Sequence, residues 1–206
     1  MRKILLIAIL MFCIYYSFAQ KEFSSKAGFK VGYNVNRLAG QSVNVNFDNR
    51  SGFMIAAYFS PSTKGFGYRS ELIFSRQGFS YDDNGTRQSV QTDYLYLPQL
   101  TTFSIGKVFQ LQVGGQMGYL LKSSATSQSS SSNHDVTDFM NRFDVGAALG
   151  FEIYPVKRLI IGSRYNMSFG NIYEQEPSMM PSPFPFMPSD VKGRNAVLQF
   201  FAGIRL

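Results

Sequence analysis

The chain has 206 residues, with 20 Lys or Arg against 13 Asp or Glu, one His and one Cys. That length suits a single domain, and one cysteine excludes a disulfide framework. The basic excess is compatible with anionic lipid or an acidic partner and requires neither.

Arg2 and Lys3 open the chain, and Ile4 to Tyr16 follow as an unbroken apolar run. Ser17 and Ala19 put small residues where a signal peptidase reads, so residues 1–19 are expected to be a cleaved export signal, cut after Ala19. The run is short for a membrane anchor, which needs about 20 apolar residues. Acylation at Cys13 is excluded by the bulk of Phe12 and by the apolar residues that continue past it. Residues 20–206 then form the mature domain. It has lost the only cysteine, Arg2 and Lys3, and keeps 18 basic against 13 acidic side chains. No thiolate chemistry remains, and no nucleic-acid role is expected outside the cytoplasm.

Eight segments of alternating residues follow. A strand sends successive side chains to opposite faces, and a transmembrane barrel turns one face to lipid and the other to a polar or small-residue lumen. In the first, Ala27, Phe29, Val31, Tyr33 and Val35 share one face, and Gly28, Lys30, Gly32, Asn34 and Asn36 the other. The second, 51–60, is apolar on both faces, and Phe53, Ile55, Ala57 and Phe59 are assigned to lipid. The third, 66–78, puts Phe66, Tyr68, Leu72 and Phe74 outside, over Arg69, Glu71, Ser75 and Gln77. The fourth, 92–104, is assigned Tyr94, Tyr96, Leu100 and Thr102 outside. Pro98 in its middle cannot donate to a ladder and predicts a bulge or break.

The fifth, 108–121, is the clearest, with Phe109, Leu111, Val113, Met117, Tyr119 and Leu121 opposite Gln110, Gln112, Gly114, Gln116 and Gly118. The sixth, 141–154, sets Phe143, Val145, Ala147, Leu149, Phe151 and Ile153 against Arg142, Asp144, Gly146, Gly150 and Glu152. The seventh, 158–170, sets Leu159, Ile161, Tyr165, Met167 and Phe169 against Gly162, Arg164 and Asn166. The last, 194–206, turns Ala196, Leu198, Phe200, Ala202, Ile204 and Leu206 to lipid. Tyr33, Phe66, Tyr68, Phe109, Tyr154 and Phe169 fall at strand ends, where aromatic girdles form.

The connections alternate. Ser60–Gly65, Ile105–Lys107 and Pro155–Lys157 are short; 38–50, 79–91, 122–140 and 171–193 are long. Outer-membrane barrels have short periplasmic turns and long extracellular loops. The prediction is an all-β, eight-stranded antiparallel up-and-down transmembrane barrel in the outer membrane of a Gram-negative bacterium, both termini periplasmic. A soluble sandwich or lipocalin-like barrel also alternates. It would not tolerate so many inward charges, since an unpaired buried charge costs several kcal/mol.

The alternation turns Lys30, Arg69, Glu71, Arg142, Asp144, Glu152, Arg164 and Arg205 into the lumen. An eight-stranded barrel is narrow enough for side chains to fill it. These five bases and three acids are therefore expected to form an ion-pair network that plugs the lumen, with Glu71 and Arg164 central. A thin anion-preferring pore is the alternative. Arg76 falls on the lipid face, where its long side chain can reach headgroups or lipopolysaccharide phosphate.

Other features lie in the long connections. Asn84-Gly85 marks a tight turn. Ser123–Ser132 is a low-complexity tract expected at a mobile loop tip. His134 with Asp135 and Asp138 suggests a metal or hydrolytic site only weakly, because catalysis needs held geometry and no second anchored base is visible. The segment 177–188 holds five of the eight prolines. Its Met179, Met180, Phe184, Phe186 and Met187 are candidate partner contacts, since exposed apolar patches mark contact sites; a lid over the barrel mouth fits them equally. No phosphate-binding glycine loop, zinc spacing or nucleophile elbow is present, so neither a cofactor nor a metal is expected.

Three patches resemble the PorT-like outer-membrane β-barrel family. They are Glu71-Leu72-Ile73-Phe74-Ser75-Arg76-Gln77-Gly78, Asp93-Tyr94-Leu95-Tyr96-Leu97-Pro98, and Arg164-Tyr165-Asn166 with Gly170-Asn171-Ile172. The resemblance implies an eight-stranded barrel. One member of that family serves assembly of the type IX secretion system, and most have no assigned activity. The expected role is structural or interactive, through the external loops and without catalysis. Alternatives are a narrow porin-like channel or an accessory in type IX secretion. Expected partners are outer-membrane lipid and lipopolysaccharide, the barrel-assembly machinery during insertion, and an unknown protein at the loops.

Overall fold

The computed structural model describes residues 26–39, 47–61, 66–83, 86–127, 130–172 and 193–206. The export segment 1–19, the Asn84-Gly85 pair, and Met179, Met180, Phe184, Phe186 and Met187 lie outside the described residues. The strands are β1 Lys26–Ala39, β2 Phe47–Ser60, β3 Phe66–Asp83, β4 Thr86–Ile105, β5 Phe109–Ser127, β6 Ser130–Asp135, β7 Phe143–Ile153, β8 Leu159–Ser168 and β9 Arg194–Arg205. Each pairs antiparallel with its neighbours. β1 pairs with both β2 and β9, and β4 with β5, so eight strands close into a barrel and leave no sheet edge in the membrane. Among the described residues β6 pairs only with β5, between Ser124↔Asp135 and Ser127↔Ser130.

Period-two patterning sets the faces. On β7 and β8 exposed and buried residues alternate along the whole strand. Phe29, Val31, Phe53, Ile55, Leu72, Leu111, Val113, Leu149, Ile161 and Phe200 stand exposed on the outside. Such an apolar band would be an aggregation site in water and is what a lipid-facing wall requires.

The fourth segment departs from expectation. Tyr94, Tyr96, Leu100 and Thr102 are buried in the lumen, and Leu95, Leu97 and Phe103 are exposed outside. The cause is lateral pairing on the outer wall. Asp93 on β4 binds Arg76 on β3 through two contacts, at 2.8 and 2.9 Å. Gln99 likewise binds Ser70 Oγ at 2.9 Å and accepts from Tyr68 Oη. Polar residues thus sit outside with neighbours, while tyrosines fill the narrow interior.

Pro98 lies within β4, opposite Gln116 of β5. Its ladder to β3 lapses between Ser70↔Gln99 and Ile73↔Tyr96 without a change of register, as a missing donor requires. The bulge falls elsewhere, at Asp93/Tyr94 opposite Lys122 and Leu120. There Leu121 and Lys122 are both exposed and break the alternation.

Much of two long connections is strand. β3, β4 and β5 have 18, 20 and 19 residues, against about 9–11 needed to span a bilayer. The pairing Asp83↔Thr86 leaves only Asn84 and Gly85 between β3 and β4. Of the serine tract, expected as a mobile tip, residues 123–127 continue β5 and 130–132 open β6, while 128–129 lie outside the described residues. A short 3₁₀ turn, Thr137–Phe139, follows. It tucks Val136 and Met140 into the apolar cluster with Leu120, Phe79, Val90 and Ile172. Backbone bonds hold this cap: Val136 N–H donates to Ser123 O at 3.0 Å and Asn141 N–H to Ile172 O at 2.9 Å.

Candidate functional site

The lumen nearer the short turns is filled by a charged cluster. β1 supplies Lys30, β3 supplies Arg69 and Glu71, β7 supplies Glu152 and β8 supplies Arg164, each on the inward parity of its strand. Lys30 Nζ bridges Glu71 Oε1 and Glu152 Oε1, both at 2.6 Å. Arg164 grips Glu71 with two bonds of 2.9 Å, the bidentate geometry that makes guanidinium–carboxylate pairs strong. Arg69 Nη1 donates to Glu152 Oε2 at 2.6 Å and lies 4.0 Å from Glu71.

Neutral groups complete the cluster. Arg164 also donates to Gln112 Oε1 at 2.8 Å and Arg69 to Gln110 Oε1 at 2.9 Å. Tyr154, expected at an interfacial girdle, is buried and donates to Glu152 at 2.6 Å. Tyr58 and Phe201 sandwich the cations: Lys30 Nζ is 4.7 Å from the Phe201 ring centre, and the Arg69 guanidinium 4.5 Å from that of Tyr58.

Cross-strand glycines make room for these rings. Tyr58 lies opposite Gly28 and Phe201 opposite Gly162. A Cβ at Gly28 would meet the Tyr58 ring at 2.6 Å, and one at Gly162 the Phe201 ring at 2.7 Å. Tyr96 covers Gly118 in the same way. The inward glycines therefore let large rings lie flat across a narrow barrel.

Three predicted lumen residues stand apart. Asp144 is buried in the lumen, but accepts from Tyr96 Oη at 2.8 Å and Ser168 Oγ at 2.6 Å rather than from a base. Arg142 pairs with Asp138 at 2.7 Å, partly exposed beyond the barrel mouth. Arg205 donates from Nε to Lys157 O at 3.0 Å, at the short-turn rim, and its guanidinium lies 4.9 Å from the Tyr154 ring centre. Both are at strand ends, where the chain can turn a charge toward water.

A closed eight-stranded barrel with an apolar outer belt and a charged lumen is the architecture of an outer-membrane protein, and the family comparison agrees. The model of the outer membrane protein beta-barrel domain matches residues 18–174. The chain belongs to that family. Its place is therefore the outer membrane of a Gram-negative bacterium.

Among solved structures, this outer-membrane barrel is similar to Ail, the attachment invasion locus protein of Yersinia pestis. Identity is 14%, 88% of this chain and 99% of that one are covered, and the TM-score is 0.52. Neisserial surface protein A matches at 11% identity, 89% and 99% coverage and TM-score 0.46. OprG from Pseudomonas aeruginosa matches at 9% identity, 88% and 94% coverage and TM-score 0.42. At 14% identity the likeness to Ail is one of fold. No curated protein sequence matches this chain.

Toward the long connections the barrel's interior turns from charged to hydroxylic and apolar. Tyr94 and Tyr96 stack at 5.3 Å. Asn34 Nδ2 lies within bonding distance of Ser75 Oγ at 2.9 Å, and Gln199 donates to Asn34 Oδ1 at 3.2 Å. Outside, Arg76 faces lipid as expected, but its guanidinium is committed to Asp93 and lies 5.3 Å from the Phe53 ring centre.

The carboxylates beside His134 are also committed. Asp138 holds Arg142. Asp135 accepts from the hydroxyl and, at 3.0 Å, the backbone N–H of Thr137; the hydroxyl bond first and the N–H second hold its carboxyl below the usual range. Among the described residues no three His, Cys, Asp or Glu gather as a metal site would require.

Proposed function

We propose that this barrel is a non-catalytic outer-membrane protein that acts through its long connections at the cell surface, with the short turns and both termini in the periplasm. The observation that carries this reading is the filled lumen. Arg164, Lys30, Glu71, Glu152 and Gln112 are fully buried at one level, Tyr94, Met54, Ile73 and Leu120 at the next, and Met140 under the cap. A side-chain-filled interior leaves water no continuous path, so the surfaces that can meet another molecule are the wall and the two ends. Lipid and lipopolysaccharide meet the wall; the assembly machinery acts on it during insertion.

The finer family reading is PorT-like. What supports it is the convergence of the three resembling patches. Glu71 from the first and Arg164 from the third form the bidentate pair. Tyr96 from the second reaches Asp144 one level above. Ail's name concerns attachment and invasion; it belongs to that protein, and makes cell attachment the first surface role to assay here.

In planar bilayers the purified barrel is expected to give no steady conductance. Stable open steps would overturn the plugged reading in favour of a narrow channel. Orientation is tested on cells. The only cysteine, Cys13, lies in the segment proposed to be removed on export, so an introduced thiol can be the sole label site. Ser182→Cys should react with an impermeant maleimide on intact cells, and Lys107→Cys only after the outer membrane is permeabilised. The reverse pattern would invert the topology and with it the surface role of the 177–188 segment.

A further inference from the structure

The charged cluster closes the lumen from one side only. Between it and the short turns lies a cavity of about 490 Å³, within the range of small-molecule sites. Lys26, Lys107, Lys157 and Arg205 stand around its wall, with Arg69 among its lining residues at the level of the cluster. Among the described residues no Asp or Glu lines it. The C-terminal Leu206 is at the same rim, its N–H bonded to Ala27 O at 2.9 Å, and is not part of the lining.

We propose that this cavity is a binding site for a phosphate group. Two independent observations support a ligand rather than a merely basic rim. First, the cluster is not neutral: Lys30, Arg69 and Arg164 are three cations on two carboxylates, Glu71 and Glu152. A buried excess charge is costly unless a counter-charge approaches, and Arg69 is the member of the cluster that lines the cavity. Second, Arg69 is a charged side chain that lines the cavity while only 3% exposed, held in place by Glu152 at 2.6 Å and Gln110 at 2.9 Å. An anion above Arg69 would offset the excess and meet a ring of lysine and arginine donors.

The three lysines come from separate places, the start of β1 and two different short turns. Chain topology alone brings them together at one mouth. A phosphate group suits such a ring better than a halide, because several donors can each take an oxygen. Two sources carry that chemistry: a free phosphate or phosphate ester, and the headgroup of a phospholipid in the adjoining leaflet. Which compartment supplies it rests on the proposed orientation. The binding test does not, since both ends are open to solvent in detergent.

The test uses the full mature barrel in maltoside detergent, titrated by calorimetry with inorganic phosphate and, separately, with short-chain phosphatidylglycerol. Saturable binding of inorganic phosphate, weakened about tenfold or more in the Lys107→Gln, Lys157→Gln, Arg205→Gln triple variant, supports the site with a solute ligand. Binding of phosphatidylglycerol alone, weakened in the same way, supports it with a lipid headgroup. A control variant removes three cations from the opposite end, Arg37→Gln, Lys122→Gln and Arg194→Gln. Equal weakening by the control would reduce the effect to net charge and overturn the site, as would no saturable binding of either probe. Heat-modifiable gel mobility of both variants checks that each remains a closed barrel.

Discussion

Replacing Glu71 with alanine is expected to cost this barrel about 3–5 kcal/mol, the usual penalty for removing one partner of a buried ion pair. Glu71 is the hub of the lumen: Lys30 reaches it at 2.6 Å, Arg164 through two bonds of 2.9 Å, and Arg69 from 4.0 Å. Without it, the three buried cations face the single carboxylate of Glu152. The measurement is urea unfolding in lipid vesicles, followed by mobility on gels without boiling. Glu71→Gln should cost less, because it keeps the shape and some acceptor capacity. The decisive comparison is the double variant Glu71→Ala, Arg164→Ala. It restores the charge balance of the parent cluster, so its cost should fall well below the sum of the two single costs. Simple additivity would mean that the two residues do not act as a pair, and the network would lose its structural role.

That hub was half legible in the sequence. Inward parity alone nominated Lys30, Arg69, Glu71, Glu152 and Arg164, because a strand in a barrel has only two faces. Parity is local, however, and the contacts are not: Arg69 and Glu152 are 83 residues apart, and Glu71 and Arg164 are 93. Parity also nominated Arg142 and Arg205, which fall at strand ends and turn outward or along the rim. The aromatic half of the cluster was missed. Tyr58 and Phe201 lie on inward faces but look like lipid contacts, since ring residues are common on both sides of a barrel wall. The signal that could have found them is glycine on the neighbouring strand, Gly28 for Tyr58 and Gly162 for Phe201. Reading it requires the strand register, which the sequence pattern leaves open. The serine tract was read from composition alone, which does not reveal that its residues 123–127 extend β5 as a template on which β6 pairs.

The fourth strand tests how such walls should be read. Its polarity argues for the wrong face, because Asp93 and Gln99 sit outside with partners while Tyr94 and Tyr96 fill the lumen. Two substitutions on adjacent residues separate the assignments. Leu97 is exposed on the outer wall, so Leu97→Arg puts a charge into lipid, at a cost of about 2–4 kcal/mol near the bilayer midplane and less toward the interfaces. With the faces reversed, the same arginine would enter the lumen at the level of Asp144, find a counter-charge and be tolerated. Tyr96→Phe gives the complementary result. A lipid-facing tyrosine loses nothing when its hydroxyl goes, whereas the lumenal one releases Asp144 from a 2.8 Å bond and should cost about 1–3 kcal/mol. Urea unfolding in vesicles reads both. A tolerated Leu97→Arg together with a neutral Tyr96→Phe would turn β4 over, remove the stacked tyrosines from the lumen, and reopen the question of a conducting path above the charged cluster.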